Sequence, residues 1–453
     1  MDVRKTIPCL SEPRFIGSVL EFADDRVALL RRVTRECGDI GLFHVWGRPV
    51  VLLNKAEYAH AVFHERARDF DRALLPPTVR ATVGEGLLGV CSRDGSHRRQ
   101  RKLLQPIFQP RPITAYADIM LDYARRVEET WQDGQTISIQ RELERIATGI
   151  AGEAFFGVDL QNEVRELGEI MVRLLGFFEK EIRWPLPLPL WMPTPHNRRM
   201  RREVRRLDQI ICGIIQKRRE NGAGRSDLLS LLLAARYEDG QPLSDQEVRD
   251  QATTIFLGGY EEMAVSLTWT WWLLATHPHI YDRLLKEVDD VLDGRSPTVA
   301  DLDHLPYTLQ VFKEAVRLYS PADIIYPRIA LNDVELDGYH IRRGMRVIVS
   351  PHLLHRKPQY FPDPESFEPE RFAAERERQI PRHAYIPFSS GQHTCIGKHF
   401  ALLEAHLLLA ALSQRVRFLL AEKRDIQPRG AVTLRPQNDI KMIVQRRAQP
   451  SKN

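Results

Sequence analysis

Residues 244–276 constrain the fold more than any other part of the chain. Ser244-Asp-Gln-Glu247 has the capping-box pattern, in which a serine and the glutamate three residues on satisfy each other's orphan backbone N–H groups. His277-Pro278 supplies a stop, because the residue before a proline is pushed out of helical conformation. About 32 residues at 1.5 Å each span roughly 48 Å, enough to cross a whole domain. After Ala252 nearly every face of this helix is apolar. Such a helix must lie inside protein, so the chain has to wrap a large core around it. At 453 residues the chain is long enough to do so without disulfide or metal staples.

The rest of the sequence supplies the wrapping. Apolar residues recur at helical spacing from about 114 to 180 and from 198 to 235. Six arginines between Arg198 and Arg206 read as a solvated helix face. Strand-like segments are short and fall in two places. One is 40–53, with a turn at Gly47-Arg-Pro49; the other is 326–349, with turns at Asn332-Asp333 and Arg343-Gly344. The run Trp184-Pro-Leu-Pro-Leu-Pro-Leu-Trp191 cannot be a helix interior and reads as an extended apolar connection. No repeat or linker divides the chain. The expected fold is mainly α (α+β), one domain over 1–453. Its small β-rich lobe comes from about 38–60 and 325–380, and its large helical lobe from the remainder.

Composition excludes several functions. Lys plus Arg number 65 against 60 Asp plus Glu, a net charge of +5 that gives no reason to expect nucleic acid. No segment reaches the ~18 uninterrupted apolar residues of a spanning helix, and the N-terminal residues lack the apolar run of a signal peptide. A cytoplasmic protein without a membrane anchor is therefore expected. The five cysteines, Cys9, Cys37, Cys91, Cys212 and Cys395, are scattered with no CxxC pair, which predicts neither a disulfide framework nor a zinc site.

One cysteine stands in a distinctive setting: Phe388-Ser-Ser-Gly-Gln-His-Thr-Cys395-Ile-Gly397, just before an apolar helix. Unpaired N–H groups and the helix dipole converge there, which favours a thiolate. Gly391 and Gly397 leave room for a flat, bulky partner, and His393 could bond an acidic group at its edge. Taken alone, the same ten residues suit a buried structural cysteine in a turn. Glu314-Ala-Val-Arg317 places an acid and a base on one helix face, and Arg371 in Phe367-Glu-Pro-Glu-Arg-Phe372 offers a second guanidinium to the same carboxylate. His97 and Arg101, spaced four apart on a helix, form a basic pair that suits two carboxylates on a ligand edge, or simply an exposed helix start.

In this order, with the long helix before the second motif, these elements resemble the cytochrome P450 family over nearly the whole chain. Phe388, Gly391, His393, Cys395 and Gly397 match its haem-binding loop. Glu314, Arg317 and Arg371 match its buried ion network. His97, Arg101 and Arg328 match its propionate contacts. The resemblance implies haem b between the central helix and the cysteine loop, with Cys395 as the iron ligand; electron donation from the sulfur favours O–O cleavage on the open face. It also implies a monomeric oxidoreductase fed by a separate ferredoxin and its reductase, with Arg98, Arg99, Lys102 and Lys398 flanking the docking face. Leu87, Leu88, Phe177, Phe256, Gly258, Ile324 and Ile325 are the expected contacts to a small apolar substrate of terpenoid, fatty acyl or polyketide type, with Tyr260 beside them on the central helix.

The central helix departs from the family pattern. It reads Gly258-Gly259-Tyr260-Glu261-Glu262. The small residue, Gly259 and the acid Glu261 are present, but Glu262 stands where threonine is usual. A hydroxyl donates and accepts, whereas an ionised carboxylate only accepts. Glu262 is expected to be a protonated acid that delivers protons, or a salt-bridged bystander. A third possibility is an enzyme outside the ordinary dioxygen route, peroxide-driven or catalysing an unusual oxidative coupling or rearrangement.

Overall fold

A computed structural model describes residues 5–12, 17–92, 94–157, 161–183, 189–221 and 227–447. The central helix runs Asp245–Thr276, and Ser244 and Glu247 form both halves of the capping box. His277 ends it and Pro278 starts the next helix, Pro278–Leu292. Trp269 and Trp271 are fully buried along its length. Helices Ile139–Phe156, Pro306–Leu318 and Lys398–Arg415 pack around it and share its core.

The strands are short. β1 (Ile40–Val45) and β2 (Arg48–Leu53) form a hairpin, followed by β3 (Phe70–Arg72) and β4 (Thr136–Ser138). After the central helix come β5 (Arg328–Ala330), β6 (Val334–Leu336), β7 (Tyr339–Ile341) and β8 (Arg346–Val349). The last are β9 (Val416–Leu420), β10 (Pro428–Gly430), β11 (Leu434–Pro436) and β12 (Lys441–Arg446). One five-stranded sheet has the order β1-β2-β8-β5-β3. Its β3–β5 pairing sets Arg72 directly opposite Arg328, two residues 256 positions apart in the chain (328 − 72).

One turn sits away from its expected place. The β1–β2 turn is Trp46-Gly47, with φ of 56° and 63°, so Arg48 and Pro49 belong to the strand. The expected turn at Asn332-Asp333 lies between β5 and β6, and a further turn, Asp337-Gly338 with φ of 52° and 81°, joins β6 to β7. Trp46-Gly47 and Asp337-Gly338 both satisfy the positive-φ demand of a two-residue hairpin turn, which matches the strand twist. The sheet β4-β12-β9 and the β10–β11 hairpin lie outside the expected 38–60 and 325–380. Three-residue strands such as β4 are too short to show a period of two, and distant pairing alone creates them. Residues 184–188 of the proline-rich run lie outside the described residues.

Candidate active site

A cavity separates the central helix from the cysteine loop. Thr254, Ile255, Gly258, Gly259, Glu262, Met263 and Ser266 form one wall, and their spacing of three and four marks one helix face. Phe388, Cys395, Ile396, Gly397, Phe400, Ala401 and Glu404 form the facing wall. Leu87, Leu88, Ile324 and Ile325, which the resemblance implies as substrate contacts, close the sides.

The cysteine loop is pinned before its helix begins. The Cys395 N–H donates to the Phe388 carbonyl at 2.8 Å, and the Arg101 guanidinium donates to the Thr394 carbonyl at 2.7 Å. Gly391 adopts φ of 70°, and a Cβ there would lie 2.1 Å from the Phe63 carbonyl oxygen. Its small size therefore serves loop packing and not, as expected, a ligand's approach. Gly397 does line the cavity, 3.9 Å from the sulfur if it carried a Cβ. The thiol's accessible surface faces this enclosed space, so burial pushes Cys395 up to about 11 against the opposing Gly397 N–H and Arg101 charge. A thiolate here calls for a metal cation at the sulfur.

The rim carries two largely buried guanidiniums, Arg72 and Arg328, with the buried Asp71 carboxylate acting on both. Desolvation, with a smaller push from Arg101, holds Arg72 down to about 10, and desolvation with the Arg72 charge holds Arg328 down to about 9. Arg72 Nε has no hydrogen-bond partner. Its Nη1 donates to the Leu87 and Leu88 carbonyls at 3.1 and 2.7 Å, and its Nη2 meets His393 Nδ1 at 3.1 Å. A guanidinium can only donate, so His393 Nδ1 accepts and its Nε2–H faces Ser92 Oγ at 3.0 Å. His97 Nε2 lies 3.1 Å from the same Nδ1, and burial first, then the neighbouring Arg72, Arg101 and Arg328 charges, push His97 down to about 4. Both imidazoles are neutral. The rim cations on the cavity wall are therefore Arg72 and Arg328; His97 stands behind His393, and Arg101 braces the loop. Arg72 was not foreseen, because its place depends on pairing with a strand far along the chain.

Two adjacent glutamates divide. Glu261 turns away from the cavity: Oε1 accepts from Thr433 Oγ1 at 2.7 Å and from Arg435 Nε and Nη2 at 3.0 and 2.6 Å. Its expected place among the reacting groups is thereby corrected to an ion pair behind the wall. Glu262 faces the cavity with Oε2 unpartnered. Burial first, then the Glu261 charge, pushes it up to about 8, so it is mostly protonated at neutral pH. Among the described residues no salt bridge reaches it, which removes the bystander reading.

Phe256 and Tyr260 are corrected as well: they sit on the helix's other face, their rings tilted to each other with centroids 5.7 Å apart, with Phe256 also against Phe156. Phe177 packs edge-on against His196 at 4.9 Å, in a separate surface hollow. Glu404 was missed. It lies on the cavity face with Gly397, Phe400 and Ala401, its Oε1 unpartnered, and burial pushes it far above the usual range. An acid in an otherwise apolar helix stripe was the available signal. Away from the cavity, Arg317 grips Glu314 at 2.7 and 2.8 Å and Arg371 Nε reaches it at 3.3 Å, so this network closes as expected.

A thiol at one wall, a bare glycine face opposite, and a rim bearing the Arg72 and Arg328 guanidiniums together fit an iron porphyrin with two acidic side chains. The class is therefore a haem-thiolate protein. A model of the cytochrome P450 family matches residues 8–444, and the chain belongs to that family. It is 35% identical over 353 residues to cyclooctat-9-en-7-ol 5-monooxygenase of Streptomyces melanosporofaciens, covering 77% of this chain and 76% of the relative. It is 34% identical over 376 residues to pentalenene oxygenase of Streptomyces avermitilis, covering 82% and 80%. Its fold superposes on the retinoic-acid-bound cyanobacterial CYP120A1 with a TM-score of 0.86 at 25% identity, covering 98% of this chain and 100% of that one. The chain is thus a haem-iron enzyme of the monooxygenase class, and no helix among the described residues is long and apolar enough to cross a membrane.

Proposed function

We propose that this enzyme hydroxylates or epoxidises a small apolar metabolite of terpenoid type, taking electrons from a separate ferredoxin and its reductase. The observation that carries the reading is the cavity wall, where a neutral carboxylic acid, Glu262, faces an apolar chamber. Relatives named for cyclooctat-9-en-7-ol and pentalenene support the substrate class. Haem, when bound, supplies the oxygen activation that no side chain can.

The protein's own residues do the rest. Cys395 holds the metal; Arg72 and Arg328 take the acidic edge of the macrocycle, and His393 orients Arg72. Leu87, Leu88, Ile324 and Ile325 bind substrate by burying its apolar surface and excluding water. Glu262 carries an O–H and serves as the proton donor to the chamber, the task of the usual threonine. Electron delivery is proposed at the face bearing Arg98 and Lys398, which have no ion pair with a described residue. Arg99 is paired with Asp239 at 2.9 Å and Lys102 with Glu238, so these two contribute less. The protein is proposed to act as a cytoplasmic monomer.

Replacing Glu262 with Gln keeps the shape and removes the acid. Product formed per electron consumed is expected to fall at least about tenfold, with hydrogen peroxide released instead. Unchanged coupling would remove the proton role. The second reading, a peroxide-driven enzyme or one running an oxidative coupling, is favoured by the same missing threonine. It predicts faster product formation with peroxide alone than with reductant plus ferredoxin.

A further inference from the structure

Haem ligation accounts for Cys395 and leaves four other free cysteines, of which Cys9 has company. The chain before the first helix runs beside β1: the Leu10 N–H donates to the Leu42 carbonyl and the Leu42 N–H to the Pro8 carbonyl, both at 2.8 Å. That places Cys9 alongside Leu42. Glu12 then reaches the end of the strand. Its Oε1 accepts from the His44 N–H at 2.7 Å and meets His44 Nδ1 at 2.7 Å, while Oε2 accepts from Ser18 Oγ at 2.5 Å. One donor atom each from Cys9, Glu12 and His44 lies within 4.8 Å of the other two. The carboxylate is held at 5% side-chain exposure, the imidazole is 34% exposed, and the thiol is open to solvent.

We propose that Cys9, Glu12 and His44 form a Zn²⁺ site that clips the N-terminal segment to β1. Thiolate, imidazole and carboxylate are the donors that zinc takes, and three protein ligands leave a fourth position for water. With metal–ligand bonds of about 2.0–2.3 Å, tetrahedral neighbours stand roughly 3.3–3.6 Å apart. The Glu12–His44 contact must open slightly and the thiol close in, both within side-chain reach. The Glu12 contact fixes Nδ1 as the nitrogen facing the site, so its proton passes to Nε2 through solvent and Nδ1 binds the ion. The thiol proton leaves to solvent, one per ion bound. Thiolate and carboxylate then balance the 2+ charge. Sequence spacing predicted no zinc site because the three ligands are joined only by β1 pairing with the N-terminal segment. Cys37 lies against Gly41 of the same strand, which makes a Cys9–Cys37 disulfide the competing fate of the thiol.

The test uses the full-length haem-loaded protein, kept reduced with a phosphine and dialysed against buffered micromolar Zn²⁺. The zinc-to-iron ratio is read by elemental analysis. One zinc per iron is expected for wild type and for Cys212→Ser, with binding at least about tenfold weaker in Cys9→Ser and His44→Gln. X-ray absorption at the zinc edge of wild type should show one sulfur and otherwise nitrogen and oxygen ligands. This measurement stands even where a variant does not fold. Absence of stoichiometric zinc, a shell without sulfur, or equal binding by both ligand variants would overturn the proposal.

Discussion

Glu314 and Glu262 are both carboxyls on helices, withdrawn from the outer surface, and their surroundings treat them in opposite ways. Glu314 has no exposed surface and accepts from Arg317 twice, from Arg371 and from the Glu368 N–H. Arg317 spends its remaining donors on the carbonyls of His355, Pro364 and Ser366. Desolvation still pushes Glu314 upward, but two guanidiniums and the Glu368 N–H oppose it. Among the described residues Glu262 has no cation in contact and one oxygen without a partner, so the same desolvation wins and the acid keeps its proton. A buried carboxyl with its donors supplied holds a fold together; one without them is available to chemistry.

The largest expected effect comes from breaking the satisfied site. Glu314→Gln leaves two guanidiniums facing a neutral amide, at a cost of about 3–5 kcal/mol. Urea unfolding of the haem-loaded variant should show a much lower midpoint. A midpoint equal to wild type would mean the two sites do not differ as described.

The next effect sharpens the contrast through pH. Glu262 is raised to about 8 from an ordinary 4.5, so the folded chain keeps a proton that the unfolded chain has released. This contribution to stability is complete below about pH 4.5 and is lost as pH rises through about 8. Glu262→Gln should remove that decline. The variant should gain on wild type by on the order of 3–4 kcal/mol between pH 5 and pH 8. Parallel stability curves would show that Glu262 is already ionised when folded.

The smallest effect belongs to Glu261, which stands between the two cases with one cation and one hydroxyl. Thr433→Val removes that hydroxyl while Arg435 remains. A loss of about 1 kcal/mol is expected, with coupling unchanged. Impaired coupling in this variant would place Glu261 back among the reacting groups.

Much of the architecture was legible because it is written in local chemistry. The capping box and His277-Pro278 bound the central helix to the residue. The cysteine loop and its helix and the Glu314 network also follow from short motifs, whereas Leu87, Leu88, Ile324 and Ile325 were expected at the chamber only from the family resemblance. What escaped is a matter of angle and distance. Successive helix residues point about 100° apart, so Glu261 and Glu262 part company, and Phe256 and Tyr260 fall behind the wall, according to how the helix is rotated against its neighbours. Arg72 is unremarkable in sequence until β3 meets β5.

Residue order alone set where helices start and stop, which cysteine precedes a helix, and which arginines could share one carboxylate. These depend on backbone hydrogen bonding within a few residues. Tertiary packing alone decided which glutamate sees the cavity, which cations crowd its rim, and that Cys9, Glu12 and His44 meet. Desolvation and charge act through space, and the distances that govern them exist only once remote segments have packed.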